Sequence, residues 1–488
     1  MEKYVYNKAS LPIPVIEGGE DWINLYYKAW EIAFRNVDYI EKENWKPQLT
    51  CMPGVGIVWQ WDSCLMAFIT NYSNGTLSAL NNLDNLYRLQ REDGFMAMAY
   101  NIESETEAYP GRINPPLMAW AEWEAYLVSG DSSRFEKILP VLEKFYAFIE
   151  KNRTRNTGLY WFEDSGSAGM DNAPRGGYPA NNLGGSDLCY IDLACQQALT
   201  AKCFTKMFGV LGNTEKSEFY KAEQKRICEL INKYHWSEKA GYYFDFFGRE
   251  NADFKIKYVN SKTAAAFWSF LSGAATGERA EKMIEHLFNP NEFYTKVPFA
   301  SLSKDDPNYD EKGGYWLGSV WPPTNYAAIK GIAEAGRESL AREAAIRFLD
   351  AMCEVDKDKA YGGIWECYAP EEYRPATTEN GSIVRADFVG WGGIAPITLL
   401  IENIIGLSFN ASENTVTFNM FPNKKAGLKN MLFNGGKVSV ECTDYVPFIG
   451  KSTIKVSAEK PFRLVVKTNY LWEDVVLEVD AGEHEFKI

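Results

Sequence analysis

Residues 115–151 read PPLMAWAEWEAYLVS, then Gly130-Asp131, then SSRFEKILPVLEKFYAFIEK. Apolar residues recur at helical spacing on both sides of the break, and Gly130-Asp131-Ser132 is a short turn. A join this short forces the two predicted helices, 115–129 and 132–151, to lie antiparallel. The pattern repeats along the chain. Helices are predicted at 20–44, 59–73, 76–90, 187–209, 213–234, 261–272, 277–288, 323–335, 337–355 and 393–405 as well. Short turns follow the second, fourth, sixth, eighth and tenth: Ser73-Asn74-Gly75, Gly130-Asp131-Ser132, Gly212-Asn213, Gly273 to Gly277, and Gly336. Long connections follow the odd-numbered helices, at 45–58, 91–114, 152–186, 235–260, 289–322 and 356–392.

Strict alternation of short and long joins puts all six long connections at one end. Six helical hairpins closing into a ring make an all-α (α/α)6 toroid whose funnel is lined by those loops, the alternative being an irregular all-α packing. Connections longer than roughly 12–15 residues without structure of their own are usually functional. After Leu407 the texture changes. Thr415-Val-Thr-Phe-Asn-Met, Lys437-Val-Ser-Val-Glu-Cys, Thr453-Ile-Lys-Val-Ser, Phe462-Arg-Leu-Val-Val-Lys and Asp474-Val-Val-Leu-Glu-Val alternate apolar with polar residues, separated by turns such as Asn434-Gly435-Gly436. The expected division is a catalytic toroid over 1–405 and a small antiparallel β-sandwich over 406–488 that packs against it.

Composition narrows the function. The chain has 488 residues, 46% apolar and 24% charged, with a formal charge of −14. No Lys/Arg cluster offers the basic footprint that nucleic acid or an anionic membrane requires. Histidine occurs only at 235, 286 and 484, without metal-ligand spacing, so no metal or other cofactor is expected. Nine cysteines lack a CxxC pair and sit mostly in apolar helical runs, as reduced thiols do. No apolar signal core follows Met1, and no segment reaches the ~20 apolar residues of a membrane span; a soluble cytoplasmic protein is expected. Aromatic residues reach 15%, with 15 Trp and 28 Tyr. Most belong to the core, and the excess suits a carbohydrate cleft, where sugar rings stack on indole or phenol.

The dense motifs lie in the long connections. Val58-Trp59-Gln60-Trp61-Asp62-Ser63 sets a carboxylate between rings at a helix start. Asp62 reads either as an N-cap, a task Ser63 could take, or as a holder of two sugar hydroxyls. Ser165-Gly-Ser-Ala-Gly-Met-Asp171-Asn172-Ala-Pro-Arg175 bends on small residues and projects one acid. Asp171 fits an Asx-turn as well as a catalytic acid, and Arg175 could partner either. Gly313-Gly-Tyr315-Trp316-Leu-Gly-Ser-Val-Trp321-Pro-Pro-Thr-Asn-Tyr326 reads as a stacking wall built on Trp316 and Trp321. In Tyr361-Gly-Gly-Ile-Trp365-Glu366-Cys-Tyr368-Ala-Pro370, followed by Gly390-Trp391, Glu366 sits beside rings; Glu371, Glu372 and Glu379 are its rivals in a more polar stretch. Two acids at one end of a ring, among tryptophans, point to glycoside hydrolysis. That reaction needs a protonated carboxylic acid at the leaving oxygen and a second carboxylate on the opposite face. A neighbouring ring wall would raise the acid's pKa by desolvation.

At these residues the sequence resembles the inverting α-glycosidases that include trehalase, processing α-glucosidase I and the bacterial mannosylglycerate and glucosylglycerate hydrolases. Four blocks carry it, in order: Trp59-Gln60-Trp61-Asp62-Ser, Ser167-Ala-Gly-Met-Asp171-Asn-Ala-Pro-Arg175, Tyr315 to Tyr326, and Trp365-Glu366-Cys-Tyr368-Ala-Pro followed by Gly390-Trp391. The resemblance implies an exo-acting inverting α-glycosidase, an α-glucosidase in the first instance, with Asp171 as general acid and Glu366 as general base. It implies that Trp61 and Asp62 hold the sugar in the −1 subsite and that Asn114 touches sugar hydroxyls where the family often has Gln; Trp59, Gln60, Arg175, Tyr315, Trp316, Trp321, Trp365, Tyr368 and Trp391 are the further substrate contacts expected from the four blocks. Two departures stand out. Leu317 replaces an Arg common in the family's Tyr-Trp-Arg-Gly, which puts in doubt substrates recognised by a cation there. The long stretch from Glu366 to Trp391 leaves Glu372 and Glu379 open as bases. A toroidal sugar epimerase or lyase, which generally relies on paired funnel histidines, and a catalytically silent carbohydrate-binding protein are the alternatives.

Overall fold

Burial along the helices separates two classes, and that separation builds the architecture. A computed structural model describes residues 3–175, 187–248, 256–422, 424–446, 451–468 and 473–488, so parts of the connections predicted at 152–186 and 235–260 lie outside the described residues. Among the described residues twelve helices form the framework: α1 (Glu20–Arg35), α2 (Gln60–Thr70), α3 (Leu80–Arg88), α4 (Met118–Ser129), α5 (Ser133–Asn152), α6 (Ile191–Val210), α7 (Thr214–Tyr234), α8 (Trp268–Ser272), α9 (Glu278–Leu287), α10 (Pro322–Glu334), α11 (Glu338–Lys357) and α12 (Ile394–Ile405). Every residue of α2 is buried, whereas α7 buries only Tyr220, Ile227 and Ile231. A helix apolar on all sides must be enclosed, and one with a single apolar stripe lies outside it. The even-numbered helices are the enclosed set. They touch in cyclic order: α2 on α4, α4 on α6, α6 on α8, α8 on α10, α10 on α12, and α12 on α2. Outside them α3 packs on α2, α7 on α6, and α11 on α10 and α12.

The quoted stretch behaves as its spacing dictates. On α5 the buried residues are Phe135, Ile138, Leu139, Leu142, Phe145, Tyr146, Phe148 and Ile149, essentially one stripe at helical period. Gly130 ends α4 at φ +73, and its amide bonds the Tyr126 carbonyl. A Cβ there would also strike the Asn434 side chain at 2.2 Å, so both conformation and space ask for glycine. The first helix is shorter than the predicted 20–44. It stops at Arg35: the Asn36 N–H still closes on the Ile32 and Ala33 carbonyls, while its side-chain Nδ2 donates to the carbonyls of Asp387 and Val389 (2.8 and 3.2 Å). The chain then pairs Val37-Asp38 with Gln48-Leu49 as a short ribbon. The last helix, α12, is a π-helix, closed by a Gly406 amide to Ile401 carbonyl bond of 3.0 Å.

Apart from short ribbons in the connections, the described strands are β1 (Ile13–Ile16), β2 (Leu407–Asn410), β3 (Thr415–Asn419), β4 (Ala426–Phe433), β5 (Gly436–Val446), β6 (Lys451–Ala458), β7 (Phe462–Lys467), β8 (Val475–Val479) and β9 (Gly482–Lys487). They form two sheets, ordered β1-β4-β5-β6-β9 and β2-β3-β7-β8. The expectation of an all-antiparallel module needs correcting: β3 and β7 run parallel, with Val416 opposite Leu464 and Phe418 opposite Val466. The first sheet gains its edge from β1, a strand that precedes α1. The β unit docks on the ends of the helices that carry short joins, where the amides of Ala411 and Asn434 bond the carbonyls of Leu127 and Val128 at 2.8 and 2.9 Å. No helix among the described residues is long and apolar enough to cross a membrane.

Candidate active site

The opposite end of the ring holds a cavity of ≈ 720 Å3. Its walls come from the long connections and from the first turn of α2. Asp62, Asp171 and Glu366 all line it, together with Trp59, Trp61, Tyr315, Trp316, Trp321 and Trp391.

Asp62 sits in the first turn of α2 and is not its N-cap. Trp59 holds that position without a side-chain hydrogen bond. Ser63 does not cap either, since its hydroxyl donates back to the Trp59 carbonyl at 2.5 Å. The free Trp61 N–H is met by Asn114 Oδ1 at 3.4 Å, and Asn114 Nδ2 donates to the Ser167 carbonyl at 3.1 Å. Asn114 is therefore a buried strut between α2 and the acid-bearing segment. That segment seats on α2 through Gly169, at φ +73, whose Cβ would lie 2.7 Å from the Trp61 ring. Beside it, Asp164 is fixed by Arg112 at 2.7 Å and by the Ser167 N–H at 2.7 Å.

The carboxyls differ in their partners. Burial first, then repulsion from Glu366, Asp164 and Glu379, pushes Asp171 up to about 7. Among the described residues no other side chain donates a hydrogen bond to it. Burial also pushes Asp62 up to about 7, although the Cys51 thiol donates to Oδ1 at 3.3 Å and works the other way. Glu366 is raised by burial but opposed by two donors: Tyr315 Oη to Oε1 at 3.0 Å and the Arg385 N–H to Oε2 at 3.4 Å. Trp391 Nε1 holds the Glu366 carbonyl at 2.9 Å. One site thus contains two carboxyls, Asp62 and Asp171, whose protons are held toward neutral pH, and a third with two donors favouring its ionised form, so both an acid and a base for acid–base cleavage are present.

Several expected substrate contacts do not reach the cavity. Arg175 is buried between Asp192 and Asp245, with bonds of 2.6–2.8 Å to both, and lies over the Tyr190 ring. Gln60 is fully buried, as is Tyr368, whose hydroxyl accepts the Trp365 N–H at 3.1 Å. Trp365 turns its indole N–H to the Tyr361 carbonyl at 2.8 Å. Trp316 and Trp321 stack on each other at 4.1 Å and 3°, each 1% exposed, so they back the cavity as a slab rather than opening two ring faces to it. Of the rival acids, Glu372 is exposed and lies 3.7 Å from Arg374, while Glu379 is exposed at the cavity wall. No histidine lines the cavity; His235 is buried with Nδ1 2.7 Å from the Phe244 carbonyl oxygen. Leu317 supplies no cation, but Arg112 and Arg385 line the cavity from other connections. These two, with Asp164 and Tyr109, were missed because each is a single polar or aromatic residue in a loop without a repeating pattern. Among the described residues no group of His, Cys, Asp and Glu is arranged to hold a metal ion.

A family model of the mannosylglycerate hydrolase MGH1-like glycoside hydrolase domain matches residues 57–380. The chain belongs to that family. As an MGH1-like glycoside hydrolase it carries all four blocks of the resemblance inside the matched span, except the Gly390-Trp391 pair. An uncharacterized protein of Borreliella burgdorferi is 30% identical over 419 residues, 83% of either chain. The mannosyl-oligosaccharide glucosidase of Saccharomyces cerevisiae is 23% identical over 326 residues, 63% of this chain and 37% of the yeast protein. The GH63 mannosylglycerate hydrolase of Thermus thermophilus, solved with glucose, superposes with a TM-score of 0.60 at 17% identity, covering 77% of this chain and 99% of that one. At that identity the likeness is one of fold.

Proposed function

We propose that this glycoside hydrolase is an exo-acting, inverting α-glycosidase, and that its substrate is a small α-glucoside or oligosaccharide. The scaffold is an (α/α)6 toroid over 1–405 with an accessory β domain over 406–488, to whose first sheet residues 13–16 lend an edge strand. Asp171 protonates the glycosidic oxygen, Glu366 activates water on the opposite face, and Asp62 and Trp61 hold the sugar in the −1 subsite. The observation that carries this reading is the shared cavity: Asp171 is pushed up to about 7 there, while Glu366 faces the same space with Tyr315 and Arg385 donating to its carboxylate. Glucosidase and trehalase relatives favour glucose as the sugar held.

The test is hydrolysis of aryl α-glucoside, trehalose, kojibiose, nigerose, glucosylglycerate and mannosylglycerate, with the first-released anomer followed by NMR. With aryl α-glucoside or glucosylglycerate, β-glucose released first supports inversion and α-glucose released first overturns it; with trehalose, inversion releases equal α- and β-glucose and retention α-glucose alone. Asp171→Asn and Glu366→Gln should each lower turnover by about 10²–10⁴-fold, and Glu379→Gln by far less. Asp62→Asn should raise KM by about 10–100-fold, the scale of a lost charge-assisted hydrogen bond. It should also keep the alkaline limb of the pH profile, moved to lower pH by loss of a neighbouring charge. Near-native turnover of D171N, or loss of the alkaline limb in D62N alone, removes Asp171 as the donor.

A further inference from the structure

Asn172 follows Asp171 in the chain, yet its side chain serves a different connection. Its Nδ2 donates to the Gly314 carbonyl at 2.9 Å, and its Oδ1 accepts the Trp316 N–H at 2.8 Å. Those are the peptide groups on either side of Tyr315. One carboxamide therefore satisfies the backbone before and after that residue, as a neighbouring strand would.

Tyr315 needs such a hold. It lies at φ +66, a left-handed conformation that a non-glycine residue adopts only when its surroundings impose it. From that position its hydroxyl donates to Glu366 Oε1 at 3.0 Å. Other groups grip Tyr315 too. The Thr377 carbonyl accepts its N–H at 2.7 Å, Trp321 Nε1 donates to its carbonyl at 3.3 Å, and the two rings pack at 4.9 Å. Thr377 belongs to the connection that carries Glu366, and Trp321 to that of Tyr315 itself. Asn172 alone among these reaches over from the segment that carries Asp171.

We propose that Asn172 is a positioning residue that ties the segment bearing the proton donor to the water-activating carboxylate, acting on Glu366 through Tyr315. The inference rests on the reading of Glu366 as the base. A hydrogen bond to an ionised carboxylate favours that ionised form. Loosening Tyr315 leaves Glu366 harder to ionise, which moves the acidic limb of kcat/KM to higher pH. A residue that merely stabilised the loop would lower the melting temperature and leave that limb in place.

The experiment is a double-mutant cycle of wild type, Asn172→Ala, Tyr315→Phe and the pair, with kcat and KM measured separately from pH 4 to 9. Y315F should raise the acidic limb by about one pH unit, the scale of one lost charge-assisted bond. N172A should move the limb in the same direction by less and lower kcat more than KM. In the Y315F background it should add nothing further. An unmoved limb in N172A, or an equal shift with and without the tyrosine hydroxyl, overturns the proposal. If N172A does not melt cooperatively, Asn172→Leu carries the same cycle, since it keeps nearly the same bulk and loses both bonds without adding a charge. Glu366→Gln is measured alongside. Near-native turnover there removes the base and this proposal together; an inactive E366Q beside an uncoupled N172A removes the positioning role alone.

Discussion

Asp62, Asp171 and Glu366 face one cavity, and ionising all three there sets like charges against each other where burial already penalises charge. The consequence for stability has a definite sign. A carboxyl raised from 3.8 to about 7 binds more protons folded than unfolded between those values, so its contribution to stability falls as pH rises through that window. Asp171→Asn removes that penalty along with the proposed proton donor. The variant should melt at a higher temperature than the wild type at pH 8, with a smaller gain at pH 5, in scanning calorimetry at both pH values. A catalytic group that costs stability is the usual trade between activity and robustness. Equal or lower melting temperature of D171N at pH 8 would mean that the buried carboxyl is not under the strain described.

The acid-bearing segment works as an element because it can lie flat on the start of α2. Gly169 allows this, with φ +73 and no atom where a Cβ would meet the Trp61 ring at 2.7 Å. Gly169→Ala should therefore cost about 1–3 kcal/mol in urea denaturation and cut turnover by displacing Asp171; full activity at unchanged stability would show that the segment seats some other way. That element was readable in advance as a run of small residues before an acid, and the helices were readable from period and turn signals, most of their ends falling within a few residues of expectation. What escaped the sequence is what depends on distant partners. Helix α1 is shorter than its periodicity predicts, since the Asn36 side chain finds its acceptors at Asp387 and Val389. The parallel pairing of β3 with β7 joins segments 48 residues apart, Thr415 to Arg463, which alternation alone cannot reveal. In the site, acids among rings stood out, whereas Arg175 looked like a substrate contact until Asp192 and Asp245 closed on it. Arg112 and Asp164 carry no local signature of the ion pair they form.

At the scale of the whole molecule the ring has two ends with separate tasks. Long connections converge on the cavity, and short joins meet the β unit and the N-terminal segment. Asn74, in the first short join, ties all three. Its Nδ2 donates to the carbonyls of Ser10 and Asn430 at 3.0 and 2.7 Å, and its Oδ1 accepts the Leu432 N–H at 2.7 Å. It sits at φ +53, so Asn74→Gly removes the three bonds without imposing backbone strain. Leaving the Leu432 amide and two carbonyls without that partner should cost about 1–3 kcal/mol, read as a lower denaturation midpoint. Asp62, Asp171 and Glu366 lie at the other end, and no bond of Asn74 reaches a residue that lines their cavity. kcat and KM should accordingly stay within about twofold of wild type at temperatures where the variant is folded, the additivity expected of distant sites. A fall in kcat in the folded variant would mean instead that the packing of the β unit is transmitted along the enclosed helices to the carboxyls, and that the two ends work as one.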